Sequence, residues 1–263
     1  MTLLQRSDRI LSHEDEDVSE ALAEILRNDG IDLRTGVREV VIERDPQGEW
    51  ICFEEKERVQ RVAAEVIMIA TGRTGNIDGL HLEAAGVETH PLGIVANDFL
   101  QTSNPNIYAA GDVTGGAQIV NMATYEGEIA GTNMVQGPIQ KADYRVFPRA
   151  VFCDPEFARV GLSERDARER GIAVRVGKFP FSDLGKAIIT DRTEGFIKIV
   201  ADPQRGEILG AAIVGAEASI LIHQAAVAMH FRSTLEEYAK ISHIHPSLAE
   251  IMLYLVDEMV GKE

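Results

Sequence analysis

The sequence predicts an α/β half followed by a separate α+β domain, and three observations lead there. Two apolar runs, residues 66–72 (VIMIATG) and Ile107–Ala110 leading into Gly111-Asp112, read as strands buried on both faces, as in an open α/β sheet. Residues 141–148 then break the pattern and read as a linker. Beyond it, strands fall together and helices fall together instead of alternating, which is the α+β arrangement.

The elements follow from the periodicity of apolar residues. Residues 2–6 (TLLQR) read as a short buried strand. The acidic run of residues 12–17 suits a helix N-terminus, and Val18, Leu22, Ile25 and Leu26 continue it at helical spacing to Gly30, a suitable C-terminal glycine. Strand-like segments at 37–43, 49–54 and 62–69 are punctuated by the turn signal Asp45-Pro-Gln-Gly48. A short helix over 80–85 and an amphipathic helix over 119–135 complete the first half. In the second half, segments 149–153, 174–180, 195–200 and 207–215 read as strands, and 163–170, 217–231 and 247–260 as helices. The predicted division is 1–70, 71–145 and 146–263.

Composition narrows the function classes. The chain has 263 residues and a net charge of −16, a field that opposes nucleic acid and anionic lipid, and no basic cluster offsets it. No stretch has the length of a membrane span. The two cysteines, Cys52 and Cys153, lie far apart in no motif, which indicates a reducing, cytoplasmic setting without a disulfide scaffold.

Two segments carry chemistry. In residues 102–112 (TSNPNIYAAGD) a strand delivers Gly111-Asp112 to a loop before a helix. The glycine permits close approach of a ligand, the aspartate accepts hydrogen bonds from hydroxyls, and the helix offers free N–H groups. By itself Gly-Asp is equally an ordinary turn with an N-cap aspartate. Residues 243–250 (HIHPSLAE) offer two readings by themselves: a His-x-His metal pair, for which no further ligand cluster exists, or a surface loop before a helix with a capping box of Ser247 and Glu250. The other five histidines, His13, His81, His90, His223 and His230, sit in no motif.

Taken whole, these runs resemble the pyridine nucleotide–disulfide oxidoreductases. Residues 102–112 look like that family's second flavin-binding motif, and Ala70-Thr71-Gly72-Arg73 like the short segment joining its nicotinamide and flavin domains, 40 residues ahead of Gly111 in the required order. Residues 151–164 resemble the opening of the family's dimerisation domain, and His243–Glu250 resembles its closing signature. The resemblance implies an FAD/NAD(P)-binding, Rossmann-like α/β part, truncated at its N-terminus, then an α+β dimerisation domain. It implies FAD contacts at Gly72, Arg73, Gly111 and Asp112, and at the backbone of Ala117, Gln118 and Ile119. His245 becomes the general acid/base and Glu250 its partner, serving the other subunit of a homodimer that transfers electrons between NAD(P)H and a thiol or disulfide. No metal is implied.

Two expectations depend on what the chain lacks. It contains no Gly-x-Gly-x-x-Gly loop and no Cys-x4-Cys pair, so it is expected to begin inside the nicotinamide domain and to hold only one end of FAD. Gln5 stands where an acidic residue would receive the ribose hydroxyls of NAD, with Arg6 and Arg9 following; this predicts preference for the 2′-phosphate of NADP(H). The closing histidine looks most like dihydrolipoamide dehydrogenases, with glutathione reductases close and mercuric reductases differing there. A dimerisation or scaffold fragment without activity, and a flavin reductase without a dithiol substrate, are the alternatives.

Overall fold

The computed structural model describes residues 1–262. In chain order it contains β1 (Thr2–Gln5), α1 (Glu16–Asn28), β2 (Asp32–Thr35), β3 (Arg38–Asp45), β4 (Gly48–Glu55), β5 (Arg58–Ala64), β6 (Thr89–His90), β7 (Gly93–Ile94) and α2 (Val120–Gln136). After Arg145 come β8 (Arg149–Val151), β9 (Glu156–Gly161), α3 (Glu164–Glu169), β10 (Arg175–Pro180), α4 (Gly185–Ile189), β11 (Phe196–Ala201), β12 (Ile208–Gly215), α5 (Ala218–His230), α6 (Leu235–Tyr238) and α7 (Glu250–Val260). The chain divides into two compact units: residues 1–66 with 145–263, and residues 67–144.

The first unit is built on an antiparallel sheet of order β10-β11-β12-β9-β8. Because side chains alternate along a strand, each strand feeds two faces. Ala158, Val160, Ile197, Ile199, Ala211 and Ile213 face a core closed by α5 and α7. Phe157, Phe196 and Val214 point the other way and pack on Val18, Leu22 and Leu26 of α1. α7 spends Ile251, Met252, Leu255 and Val256 inside this core. The segment 38–64 forms a separate three-stranded antiparallel sheet, β3-β4-β5, with the predicted turn at Asp45. There Asp45 Oδ1 accepts from Gln47 N–H and Trp50 Nε1, at 2.8 and 3.1 Å.

On the α1 face, one cross-strand row of the five-stranded sheet reads Lys178, Lys198, Ala212, Arg159, Arg149. Like charges side by side repel, so this row requires anions. The acidic run at the start of α1 and the first turn of α3 supply them. Lys198 Nζ lies 2.9 Å from Asp15, 3.0 Å from Asp17 and 2.9 Å from Glu164. Arg159 pairs with Glu14 at 2.7 Å and with Asp166 at 2.6 Å. Arg149 and Lys178 extend the row to Glu14 and Asp17. Lys198 and Arg159 are buried, at 3% and 6% exposure, so their charges persist only because the carboxylates are present. Asp15 also accepts the backbone N–H groups of Glu164 and Arg165, at 3.1 and 2.8 Å, at the start of α3. The sequence reading took residues 12–17 as a helix N-terminus alone, and their larger role is this ion network.

Several predicted elements differ. Residues 66–72 are not a buried strand: no strand among the described residues pairs with them, and Val66, Met68 and Ile69 are 85%, 87% and 71% exposed. An apolar run forms a two-sided strand only where neighbours supply the hydrogen bonds. Residues 107–110 make one bridge, Gln101 to Tyr108, instead of a strand, and residues 80–85 form turns instead of a helix. The strand Glu156–Gly161, central to the cation row, went unpredicted because its Pro155 and charged residues mask the apolar alternation.

The network fixes a pH dependence. Burial pushes the Asp166 carboxyl up, but the Ser163 N–H and the Arg159 guanidinium outweigh it and hold the group at about 2, below its ordinary 3.8. Asp15 is likewise held below that value: burial opposes the shift, and the Arg165 N–H and Lys198 outweigh it. A carboxylate depressed in the folded state stabilises the fold above its unfolded value, and the contribution is lost as pH falls through the folded one. Urea midpoints are therefore expected to hold steady down to about pH 4 and to fall steeply from there toward pH 2, with Asp166→Asn flattening part of the fall. A midpoint that starts to fall near pH 6, or a variant with the unaltered profile, contradicts this.

Candidate active site

Within residues 67–144, the segment around Gly-Asp is shaped by backbone constraints. Gly111 opens a single 3-10 turn, Gly111–Thr114, at φ +74°, and a β-carbon there would lie 2.9 Å from the Ala123 methyl group. Only glycine meets both conditions. Gly115, at φ +71°, closes the turn against Leu92, in the loop between β6 and β7. A β-carbon on Gly93 in β7 would meet the Val113 carbonyl oxygen at 2.1 Å.

Beneath the turn lies Glu126 of α2, 4% exposed. Its two oxygens accept from Gly111 N–H at 2.6 Å and from the Tyr144 hydroxyl at 2.8 Å. The Tyr144 phenol is pushed up by burial and by this carboxylate, so it stays protonated and keeps donating. Glu126 thus sets the Gly111 peptide and leaves the Asp112 carboxylate exposed. The sequence reading missed Glu126; the available signal is a carboxylate amid the small and apolar residues of α2.

Ala117, Gln118 and Ile119 lead straight into the N-terminus of α2. Ile119, the N-cap residue, provides no side-chain acceptor, and the first turn contains no acidic residue, so the positive end of this 17-residue helix is uncompensated by its own side chains. Ala117 is exposed, and Gln118 holds φ +52°. Gly72, at φ +106°, and Arg73 lie on exposed coil that reaches the same hairpin three residues later, where Gly75 N–H donates to the Leu92 carbonyl at 2.8 Å. A hollow of about 400 Å³ beside the turn is lined by His90, Asn97, Thr114, Ala117 and Met122. An exposed carboxylate, a glycine backbone and an open helix N-terminus fit a hydroxyl-rich, partly anionic ligand.

In the other unit, Gln5 ends β1, its backbone spent on pairing with β2 and its carbonyl accepting Val37 N–H. Arg6 is exposed, whereas Arg9 turns inward, its guanidinium donating to the carbonyls of Ser12 and Glu14 at 3.4 and 3.1 Å. Arg9 is thereby committed to the loop before α1, and Arg6 is the free cation of the two. Arg6 and Ser7 border a cleft of about 1200 Å³ that also presents Arg165 and Arg168, together with the acids Glu16 and Glu20.

The third group is the predicted imidazole–carboxylate pair. His245 Nδ1 lies 2.9 Å from Glu250 Oε1. Glu250, the first residue of α7, is 5% exposed and also accepts from Ser247 N–H at 2.8 Å and the Tyr254 hydroxyl at 3.4 Å. Burial pushes its carboxyl up, but the Ser247 N–H and His245 outweigh it and hold it below the ordinary value. It therefore stays a carboxylate, which requires the proton of neutral His245 to sit on Nδ1 and leaves Nε2 a free base. The His245 side chain is 71% exposed, so Nε2 is accessible. The capping-box alternative is only half formed: Glu250 Oε2 accepts from Ser247 N–H, but the buried Ser247 hydroxyl has no partner. Pro246 follows a cis peptide bond and precedes the first residue of α7 by four positions. Among the described residues no His, Cys, Asp and Glu side chains group as a metal site, and Cys52 and Cys153 are free thiols.

Residues 1–127 match the model of the pyridine nucleotide-disulphide oxidoreductases, and residues 147–255 that of the pyridine nucleotide-disulphide oxidoreductase dimerisation domain. A dihydrolipoyl dehydrogenase of Bacillus subtilis is 36% identical over 96% of this chain and 54% of its own length. A mercuric reductase of Staphylococcus aureus is 38% identical over 90% of this chain and 44% of its own length. Among solved structures, LpdA from Mycobacterium tuberculosis superposes with a TM-score of 0.87 at 26% identity, covering 98% of this chain and 56% of that one. The HOCl-induced flavoprotein disulfide reductase RclA from Escherichia coli gives 0.85 at 26% identity, over 97% of this chain and 58% of the other. The chain spans about half the length of these relatives.

Proposed function

Because the chain belongs to the pyridine nucleotide-disulphide oxidoreductase family, we propose that it forms part of an FAD-dependent enzyme moving electrons between NAD(P)H and a thiol or disulfide. The observation that carries this reading is the His245–Glu250 pair, with a buried carboxylate behind an exposed imidazole. In this reading Nε2 of His245 takes the proton of a substrate thiol and returns it to the departing thiolate in the reverse direction. Glu250 fixes the tautomer and stabilises the imidazolium that forms, as the aspartate does in hydrolase triads. His245→Gln in the flavin-loaded enzyme is expected to lower turnover with a dithiol substrate by about 100-fold or more at unchanged flavin content. Normal turnover would hand the pair to a structural role.

The FAD assignment is supported by the fit of the 111–119 segment. Asp112 would hold a hydroxyl of the cofactor, and the N-terminus of α2 would face its electron-rich end. Bound FAD supplies the relay of electron pairs between nicotinamide and sulfur. Gly72 and Arg73 would border the same cofactor. For the nicotinamide cofactor, Gln5 and exposed Arg6 support NADP(H), since a neutral side chain beside a guanidinium suits a 2′-phosphate. The expected result is a higher kcat/KM for NADPH than for NADH, with Arg6→Ala erasing the difference; a preference for NADH refutes the assignment.

The partner in this reading is a second copy. Ile220 and Val227 on one face of α5 and Phe231 at its C-terminal end are 64%, 58% and 75% exposed, and Ile244 beside His245 is 81% exposed. A surface of this kind, in a segment matching a dimerisation domain, supports a twofold homodimer. Sedimentation at micromolar concentration is expected to give a dimer and Phe231→Glu to weaken it; a strictly monomeric unaltered chain refutes this.

A further inference from the structure

The loop bearing His245 is exposed and irregular, yet its imidazole has to keep one orientation. Residues 241–249 contain no helix or strand, and both Ile244 and His245 project into solvent. Such a segment opens locally at little cost unless polar contacts hold it. Three side chains supply those contacts, and neither the imidazole–carboxylate chemistry nor the flavin contacts use them.

Gln224 stands on α5, Tyr238 ends α6, and His243 lies two residues before His245. Tyr238 is 4% exposed, and its hydroxyl donates to Gln224 Oε1 at 2.8 Å and lies 3.0 Å from His243 Nε2. His243 Nε2 is 3.3 Å from the same Gln224 oxygen. On its other edge, His243 Nδ1 lies 3.0 Å from the Ile241 carbonyl, which can only accept, so Nδ1 carries a proton. Gln224 then reaches past this cluster. Its Nε2 lies 3.5 Å from the carbonyl of Ala249, the residue before Glu250. Tyr238 and Gln224, 2.8 Å apart, therefore flank the segment between them, Tyr238 at its His243 end and Gln224 at its Ala249 end. Burial pushes the Tyr238 phenol up, so its proton is present at every working pH.

We infer that Gln224, Tyr238 and His243 are positioning residues: they hold the 243–250 loop so that His245 Nδ1 stays on Glu250 and Nε2 stays presented outward. Without them the Glu250 carboxylate retains its place at the start of α7, but the imidazole samples other orientations and the Nε2–H tautomer, whose outward nitrogen has no lone pair to offer a thiol. This inference rests on the acid/base reading of His245, and its test separates the two.

The measurements are ¹⁵N-histidine NMR of the chain, for the tautomer of His245, and the pH profile of turnover in the flavin-loaded enzyme. Tyr238→Phe removes one hydroxyl at constant shape. The expected result is a shift of His245 from the Nδ1–H tautomer to a mixture, with turnover lowered about tenfold or more, the usual scale for partners that orient a reactive imidazole. Gln224→Met gives the same readouts should Tyr238→Phe not fold. A His245 tautomer and pH profile like those of the unaltered protein overturn the inference, whatever happens to the melting temperature. If His245→Gln is inactive while Tyr238→Phe is unchanged, the positioning role alone fails. If His245→Gln is fully active, the acid/base reading fails while the tautomer shift still reports on the tether.

Discussion

The pairing of a row of four cations with a run of acids is the constraint on which the larger unit depends. Lys178, Lys198, Arg159 and Arg149 lie in one row across the sheet, with Ala212 between the two central ones, which are buried. Hydrophobic packing alone would leave α1 free to slide, because Val18, Leu22 and Leu26 meet an apolar surface that tolerates small shifts. Ion pairs of 2.6 to 3.0 Å around Lys198 and Arg159 do not. They specify where α1 begins and where α3 begins, and they do so from residues about 145 positions apart, such as Glu14 and Arg159. Such a network contributes more to a unique arrangement than to net stability, because desolvating the ions offsets most of their attraction.

The two candidate chemical centres share a design despite their different backbones. In each, a buried carboxylate orients a group that is itself exposed. Glu126 holds the Gly111 peptide and so leaves Asp112 presented. Glu250 holds His245 Nδ1 and so leaves Nε2 presented. Each buried carboxylate accepts from more than one donor, which fixes its orientation without a fully buried cation beside it. Rigidity sits one layer behind the reactive surface, where packing can enforce it.

How much of this was legible in the sequence depended on whether a pattern names its partner. His245 and Glu250 were legible because both ends of the interaction lie within six residues and only their geometry was open. The helices 16–28 and 120–136 were legible because amphipathic spacing is local. The run 66–72 was misread for the opposite reason: apolar residues state that burial is favourable, but not which strands bury them. Glu126 escaped notice because a glutamate on a helix reads by default as a solvated face. The acidic run 14–17 was seen, but its cations are distributed over β8, β9, β10 and β11, and nothing in a linear sequence aligns four strands into one row.

The arrangement around Lys198 also bears on how this sequence can drift. One ammonium serves three carboxylates, so the members are not equally replaceable. Loss of Asp15, Asp17 or Glu164 leaves the ammonium two partners, and a lineage could tolerate the change until another acid appears nearby. Loss of Lys198 takes the shared cation from three carboxylates at once. Arginine is a poor substitute, because a planar fork cannot reproduce a point charge facing three directions. Among descendants of this sequence Asp15, Asp17 and Glu164 can be exchanged one by one, while the lysine that gathers them is held in place.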